Sequence, residues 1–197
     1  WAVTRYADIV AVTRNPQVFS SAAARGGVNL IDQPPSFSDL FGSMIVMDDP
    51  RHARLRRIVS RAFGPALLRQ VEAGIQRAAT EIIETAIDRQ GGDFVTDIAA
   101  ALPLKIICDM MGIPPSNYQY VFERTNLILG ATDPEYVADL ANAAPAMLQA
   151  AQELGMLVED LARFRRERPA EDLTSALIHA EVDDERLTPS EIASFFV

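Results

Sequence analysis

Met44-Ile45-Val46-Met47-Asp48-Asp49-Pro50-Arg51-His52-Ala53-Arg54-Leu55-Arg56-Arg57-Ile58-Val59-Ser60-Arg61-Ala62-Phe63 is the stretch on which the reading of this chain turns. Asp48-Asp49-Pro50 supplies an N-cap candidate followed by a first-turn proline, so a helix is predicted from Pro50 to about Phe63, ahead of Gly64-Pro65. Each residue advances about 100° around a helix axis, which gathers Leu55, Ile58, Val59, Ala62 and Phe63 into one apolar stripe. His52 falls inside that stripe and Arg56 at its edge, beside Phe63. Arg54, Arg57 and Arg61 fall on the opposite side. Arg51 lies near the stripe, but from the first turn its long stem reaches water.

An imidazole and a guanidinium four residues apart, both aimed inward, are costly to bury unless an anion meets them. Arg56 offers a planar fork suited to a carboxylate, and His52 a second donor. Two partners satisfy this pattern: a bound anionic ligand between the helix and the core, or an acidic residue elsewhere in the chain. The charge distribution sharpens the question. Of 18 basic residues all but Lys105 are arginine, and Arg51 to Val71 holds six arginines, one histidine and no acid, while the whole chain carries −9. A helix dipole disfavours cations in its opening turns, so this cluster calls for an explanation beyond helix chemistry. Phosphate backbones are bound by clustered positive charge with interleaved aromatics, and the acidic remainder argues against nucleic acid as the main partner.

Outward from this helix, Trp1 to Tyr6 reads as a short strand and Asp8 to Arg14 as a short helix closed by Asn15-Pro16. Residues 20–46 form a long segment without sustained period, rich in apolar side chains that either cover the core or wall a ligand pocket. Downstream the pattern is helical almost throughout. Pro65 to Arg89 is amphipathic with a stop at Gly91-Gly92, and Ala99 to Met111 is apolar nearly all round, which predicts a buried helix with Cys108 as a core thiol. Ser116 to Leu129 follows. Asp133-Pro134 is placed to open a helix reaching about Arg168, with a seam of Leu140, Ala144, Met147, Ala151, Leu154, Val158 and Leu161. The arginines at 163, 165, 166 and 168 suit that helix's C-terminal end. A shorter helix spans Asp172 to Ala180, a polar turn Val182 to Arg186, and Thr188-Pro189-Ser190-Glu191 is a capping box.

With 197 residues, 49% hydrophobic and 23% charged, the chain is that of an ordinary globular protein able to build a core. One cysteine excludes an internal disulfide. No apolar run reaches the roughly 18 residues of a membrane span, and no signal peptide is visible, so the expected location is the cytoplasm. The sequence opens at Trp1 without an initiator methionine and stops inside the apolar run Phe195-Phe196-Val197, so it reads as part of a longer protein.

Residues 44–63 resemble the C-helix region of bacterial cytochrome P450 heme-thiolate monooxygenases, and the resemblance extends along the chain. Tyr6-Ala7-Asp8-Ile9-Val10 is similar to the family's B helix, residues 20–46 to its B–C loop and Pro103 to Pro114 to its E helix. Residues 116–168 are similar to the F and G helices and Leu187 to Val197 to the start of the I helix. The fold class implied is mainly α, the cytochrome P450 fold from a short N-terminal strand to the start of the I helix, with residues 1–197 an incomplete part of one domain. Phe41-Gly42-Ser43-Met44-Ile45-Val46, Ile106-Ile107-Cys108-Asp109-Met110-Met111-Gly112-Ile113-Pro114 and Glu191-Ile192-Ala193-Ser194-Phe195-Phe196 are similar to actinobacterial enzymes that hydroxylate terminal methyl groups of methyl-branched lipids and sterol side chains.

In that family the His and Arg of an H-x-x-x-R pattern bind heme propionates, which by resemblance assigns His52 and Arg56 to heme b. The resemblance further implies an apolar substrate against Leu30, Phe41, Met44, Ile45 and Leu129. Arg54, Arg57 and Arg61 are the expected docking residues for an acidic ferredoxin. The acid-alcohol pair, the E-x-x-R helix and the iron-ligating cysteine of such proteins find no counterpart here. This stretch alone is therefore expected neither to hold iron through a thiolate nor to activate oxygen. An alternative from another class is an all-helical ligand-binding regulator whose arginine-rich helix meets DNA.

Overall fold

The computed structural model describes residues 2–28, 42–130, 133, 135–137, 142–182 and 185–196. Among them the fold is built from helices and one two-stranded hairpin, and the chain divides into two compact units, Trp1–Arg57 and Ile58–Val197.

In the first unit, helix α1 spans Tyr6–Thr13, with Arg5 bonded to Asp8 at 2.7 Å across its first turn. The expected N-terminal strand is not seen: residues 2–4 carry no regular structure, because an extended segment becomes a strand only when another pairs with it, and none among the described residues does. The 20–46 segment is irregular where it is described, apart from single 3-10 turns at Ala23–Arg25 and Met44–Val46. Its return is tied by Asp48, whose carboxylate accepts the Ser20 hydroxyl at 2.5 Å and the Ser21 N–H at 2.9 Å. The two aspartates thus divide the expected capping role, since Asp49 takes the Ala53 N–H at 3.1 Å.

Helix α2, Arg51–Ala62, contains the boundary between the units. Leu55 and Ile58 are fully buried and Val59 nearly so, while Phe63, one residue past the helix, stays 38% exposed. The buried stripe is narrower than the wheel predicts, because it excludes that phenylalanine.

The second unit begins with α3, Pro65–Arg89, opened by Gly64 and Pro65 at its first turn. It ends at Arg89, as the spacing predicts, but Gln90 rather than a glycine takes the left-handed C-cap conformation, φ 54°. A π-helical turn at Val95–Ala99 leads into α4, Ala101–Met111. Of this apolar helix only Cys108 and Met111 are buried and Ile107 is 54% exposed, so the expected burial all round is not met within the chain. Gly112 ends α4 at φ 76°, where Ile113 N–H returns to the Cys108 carbonyl at 2.9 Å. A Cβ at Gly112 would collide with the Asp172 carboxylate, so both backbone and space require glycine there.

After a 3-10 turn, Pro115–Asn117, come α5, Tyr118–Leu129, and α6, Ala143–Glu167. The latter starts ten residues later than Asp133-Pro134 suggested. Asp133 accepts the Glu135 N–H on its side chain and the Tyr136 and Val137 N–H groups on its carbonyl. From Ala150 onward the predicted seam holds: Ala151, Leu154, Val158 and Leu161 are buried, joined by Ala150 and Ala162, whereas Ala144 is exposed and Leu140 lies outside the described residues.

Helix α7, Leu173–His179, is capped by Asp172, whose side chain accepts the Ser175 N–H at 2.8 Å. The polar turn after it is the hairpin of β1, Glu181–Val182, and β2, Glu185–Arg186, antiparallel with Glu181 opposite Arg186. Helix α8, Pro189–Ala193, carries the full capping box, with Thr188 and Glu191 each bonded to the other's backbone.

The arginines at the end of α6 do more than meet a dipole. Arg165 donates to Asp172 at 2.5 Å and to the Gly112 carbonyl at 3.3 Å, and Thr174, wholly buried, donates to the Met111 carbonyl at 2.5 Å. The ends of α4 and α6 and the start of α7 are thus locked at one point.

Candidate functional site

Helix α2 contains no acid, so its cations meet carboxylates only at its N-terminal edge or from other elements. The His52 side chain is 34% exposed and its Nδ1 lies 3.5 Å from the Asp49 carboxylate, one turn back. Arg56 is exposed, 40° further round by the helix period, where the sequence reading put it at the edge of the buried stripe. Neither residue is deeply buried, so the desolvation cost expected of an inward-facing pair does not arise. The two donors remain one turn apart on one side of the helix, which is the placement needed to share an anionic group. Imidazole and guanidinium are the donor chemistry that a pair of carboxylates takes. The residues therefore fit the propionates of a heme.

The outward set divides. Arg57 is exposed and Arg54 half-buried. Arg61, also exposed, donates to the Glu181 carbonyl at 3.3 Å, and so helps hold the hairpin onto the end of α2.

Of the apolar candidates, Met44 and Ile45 form the 3-10 turn before α2, with Ile45 64% exposed. Leu129 is the last residue of α5 and 80% exposed. Leu30 and Phe41 lie outside the described residues.

Cys108 is fully buried and burial pushes its thiol up to about 11, with Asp109 adding to the shift. A metal-ligating cysteine has the opposite character, a stabilised and accessible thiolate, so this one is a core residue. Among the described residues no cluster of His, Cys, Asp or Glu could hold a metal, and no helix is long and apolar enough to cross a membrane.

Sequence reasoning missed a second polar group. Arg124 on α5 pairs with Glu153 on α6 and lies 4.7 Å from the Tyr120 ring centre, and Gln149 donates to Glu153 at 2.8 Å. The four-residue spacings Tyr120/Arg124 and Gln149/Glu153 were its available signal, but only the packing of two helices shows that they meet.

Compared with known proteins, the chain follows the cytochrome P450 fold along its whole length. A cytochrome P450 of Mycobacterium marinum, solved in complex with pseudoionone, matches with a TM-score of 0.86 at 38% identity, covering 100% of this chain and 47% of that one. Fold and sequence alike make the chain similar to cytochromes P450, while no family profile matches it. Over its whole length it is 46% identical to a methyl-branched lipid omega-hydroxylase of Mycobacterium bovis and 34% identical to a steroid C26-monooxygenase of Mycolicibacterium smegmatis. It spans 45% of the length of each of these relatives. The DNA-binding regulator finds no support among them.

Proposed function

We propose that the protein is a cytoplasmic heme-dependent monooxygenase, with residues 1–197 belonging to a single domain, that hydroxylates an apolar, lipid-like substrate using electrons from a ferredoxin. The observation that carries this reading is the 46% identity to a methyl-branched lipid omega-hydroxylase, sustained across the whole chain. The steroid C26-monooxygenase at 34% extends the substrate class to sterol side chains. Both relatives act at the end of a long apolar molecule, by their names.

Heme b, when bound, would supply oxygen insertion into an unactivated C–H bond. The task of this chain's residues is binding, orientation and exclusion of water. His52 and Arg56 would hold the propionates, each donor neutralising negative charge that would otherwise face the protein. Ile45 and Leu129 each expose an apolar side chain of the kind a lipid-like substrate takes; the expected contacts Leu30 and Phe41 lie outside the described residues. Arg54 and Arg57 attract an acidic ferredoxin, a rim-type charge effect that raises the association rate more than the affinity. Arg61, which also donates to the Glu181 carbonyl, belongs to the same docking set.

Absorption spectra of the full-length protein test the class directly. A Soret band and a red-shifted ferrous-CO band of thiolate ligation are expected. A colourless protein that retards DNA would overturn the proposal.

A further inference from the structure

The first turn of α2 carries His52 on little buried surface. Arg51 is exposed, His52, Ala53 and Arg54 are half-buried, and Leu55 is the first residue of the helix that is wholly buried. Steep packing energies come from filled interior space, so this turn owes its place in part to polar bonds. Two consecutive aspartates supply them. Asp49 works inside the turn, accepting the Ala53 N–H at 3.1 Å and lying 3.5 Å from His52 Nδ1. Asp48 reaches out of it. Its carbonyl accepts the His52 N–H at 3.1 Å, while its carboxylate takes the Ser20 hydroxyl at 2.5 Å and the Ser21 N–H at 2.9 Å, from residues 28 and 27 positions earlier in the chain.

The far side of this link is itself oriented. Ser20 Oγ accepts the Ala22 N–H at 3.1 Å, which aims its own hydrogen at Asp48. The Ala22 carbonyl then takes the Arg25 and Gly27 N–H groups at 2.8 and 3.1 Å, so residues 22–27 form a compact turn. Ser20, Ser21, Ala22 and Asp48 are all half-buried, where a charge-assisted bond is screened less than at the open surface. The Ser20 hydroxyl first, then the Ser21 N–H, hold the Asp48 carboxyl below its ordinary value, with the charge of Arg25 adding to the effect, so the acceptor is ionised at neutral pH. Among the described residues, the hydrogen bonds that cross from 20–28 to 42–50 all end on Asp48.

We propose that Asp48 is a positioning residue for His52: it fastens the first turn of α2 to residues 20–22 and so holds the imidazole where it meets an anionic group. That the anionic group is a heme propionate rests on the function proposed above. Asp48, an anion itself, makes no bond to a propionate; it acts through the backbone of the turn. Arg56 is a built-in contrast, because it sits between the wholly buried Leu55 and Ile58, whose packing fixes that part of the helix without Asp48.

The test is a set of double-mutant cycles on the full-length, heme-loaded protein, read by the rate of heme transfer to apomyoglobin. Asp48→Ala and Ser20→Ala are each expected to speed heme loss about 3- to 10-fold in the wild-type background and less than about 2-fold once His52→Ala is present, because residues that act through one another are non-additive. Combined with Arg56→Ala, the same two substitutions are expected to multiply. Ser20→Thr keeps the hydroxyl and is expected to stay within about 2-fold of wild type. Full multiplication of Asp48→Ala with His52→Ala, or unchanged heme loss in both Asp48→Ala and Ser20→Ala, would overturn the proposal. Amide hydrogen exchange gives a readout that needs no heme. Residues 19–25 and 48–56 are expected to exchange faster in Asp48→Ala and Ser20→Ala while residues 143–167 keep their rates; unchanged exchange at 48–56, or equal acceleration throughout the chain, overturns the link. Should Asp48→Ala not fold, Ser20→Ala carries both arms. If wild type purifies without heme, the function proposed above fails, and the exchange rates alone then decide whether Asp48 fastens the turn.

Discussion

Asp172→Ala removes two interactions made by one carboxylate. The first is the N-cap of α7, where the side chain takes the Ser175 N–H at 2.8 Å; loss of an N-cap acceptor costs about 1 kcal/mol. The second is the partner of Arg165, 2.5 Å away at the end of α6. Leaving a buried charge without its partner costs about 3–5 kcal/mol when burial is complete. The Arg165 side chain is 18% exposed and keeps the Gly112 carbonyl, so water and that carbonyl recover part of the loss. About 1–2 kcal/mol remains for this term, and about 2–3 kcal/mol for the variant. Asp172→Asn keeps an oxygen to cap the helix and should lose only the charge-dependent part, about 1–2 kcal/mol. Urea unfolding followed by far-ultraviolet circular dichroism, at constant m-value, reads both. A loss below about 0.5 kcal/mol for Asp172→Ala, or equal losses for the two variants, would refute the argument that one carboxylate caps α7 and holds Arg165 at once.

Three further outcomes follow from the same geometry. Cys108, buried and pushed up to about 11, stays a neutral thiol through the physiological range; it should resist dithionitrobenzoate at pH 8 in the native protein and react promptly in denaturant. The Ser20 hydroxyl first, then the Ser21 N–H, hold the Asp48 carboxyl below its ordinary 3.8, so its contribution is present above that value and lost as pH falls through the lower, folded one. Asp48→Asn should therefore flatten the acid limb of a pH–stability profile below about pH 4, and an unchanged limb would contradict the assignment. His52→Ala and Arg56→Ala should each weaken heme retention, measured by heme transfer to apomyoglobin, whereas Arg57→Ala should chiefly slow reduction by ferredoxin; equal heme loss from all three would refute the division of α2 into two faces.

Much of the architecture was readable because local signals agree with tertiary packing. Pro65–Arg89 carries a proline at its start and glycines after its end, and the helix occupies that range. The capping box at Thr188 is formed as the spacing required. The start of α6 was not readable: Asp133-Pro134 is good N-cap chemistry, and Asp133 does accept the Glu135 N–H, but α6 begins at Ala143. The apolar surface of α4 is covered only in part by the described residues.

At the candidate site, periodicity put His52 and Arg56 within one turn of each other, which the helix preserves. It also put Arg56 at the buried edge, which the structure does not, because the stripe narrows to Leu55, Ile58 and Val59. The Arg124–Glu153 and Arg165–Asp172 pairs join residues from different helices, or from a helix and the cap of the next. Such pairings are set by helix packing and leave no single-segment pattern.

The central claim is that α2 presents His52 and Arg56 to the propionates of a heme in a thiolate-ligated monooxygenase. The ferrous-CO difference spectrum of the purified full-length protein tests it most directly. The account predicts the red-shifted band of thiolate ligation, with less bound heme in His52→Ala and Arg56→Ala. A protein that purifies without heme, or gives only the unshifted band of a histidine-ligated iron, would contradict it.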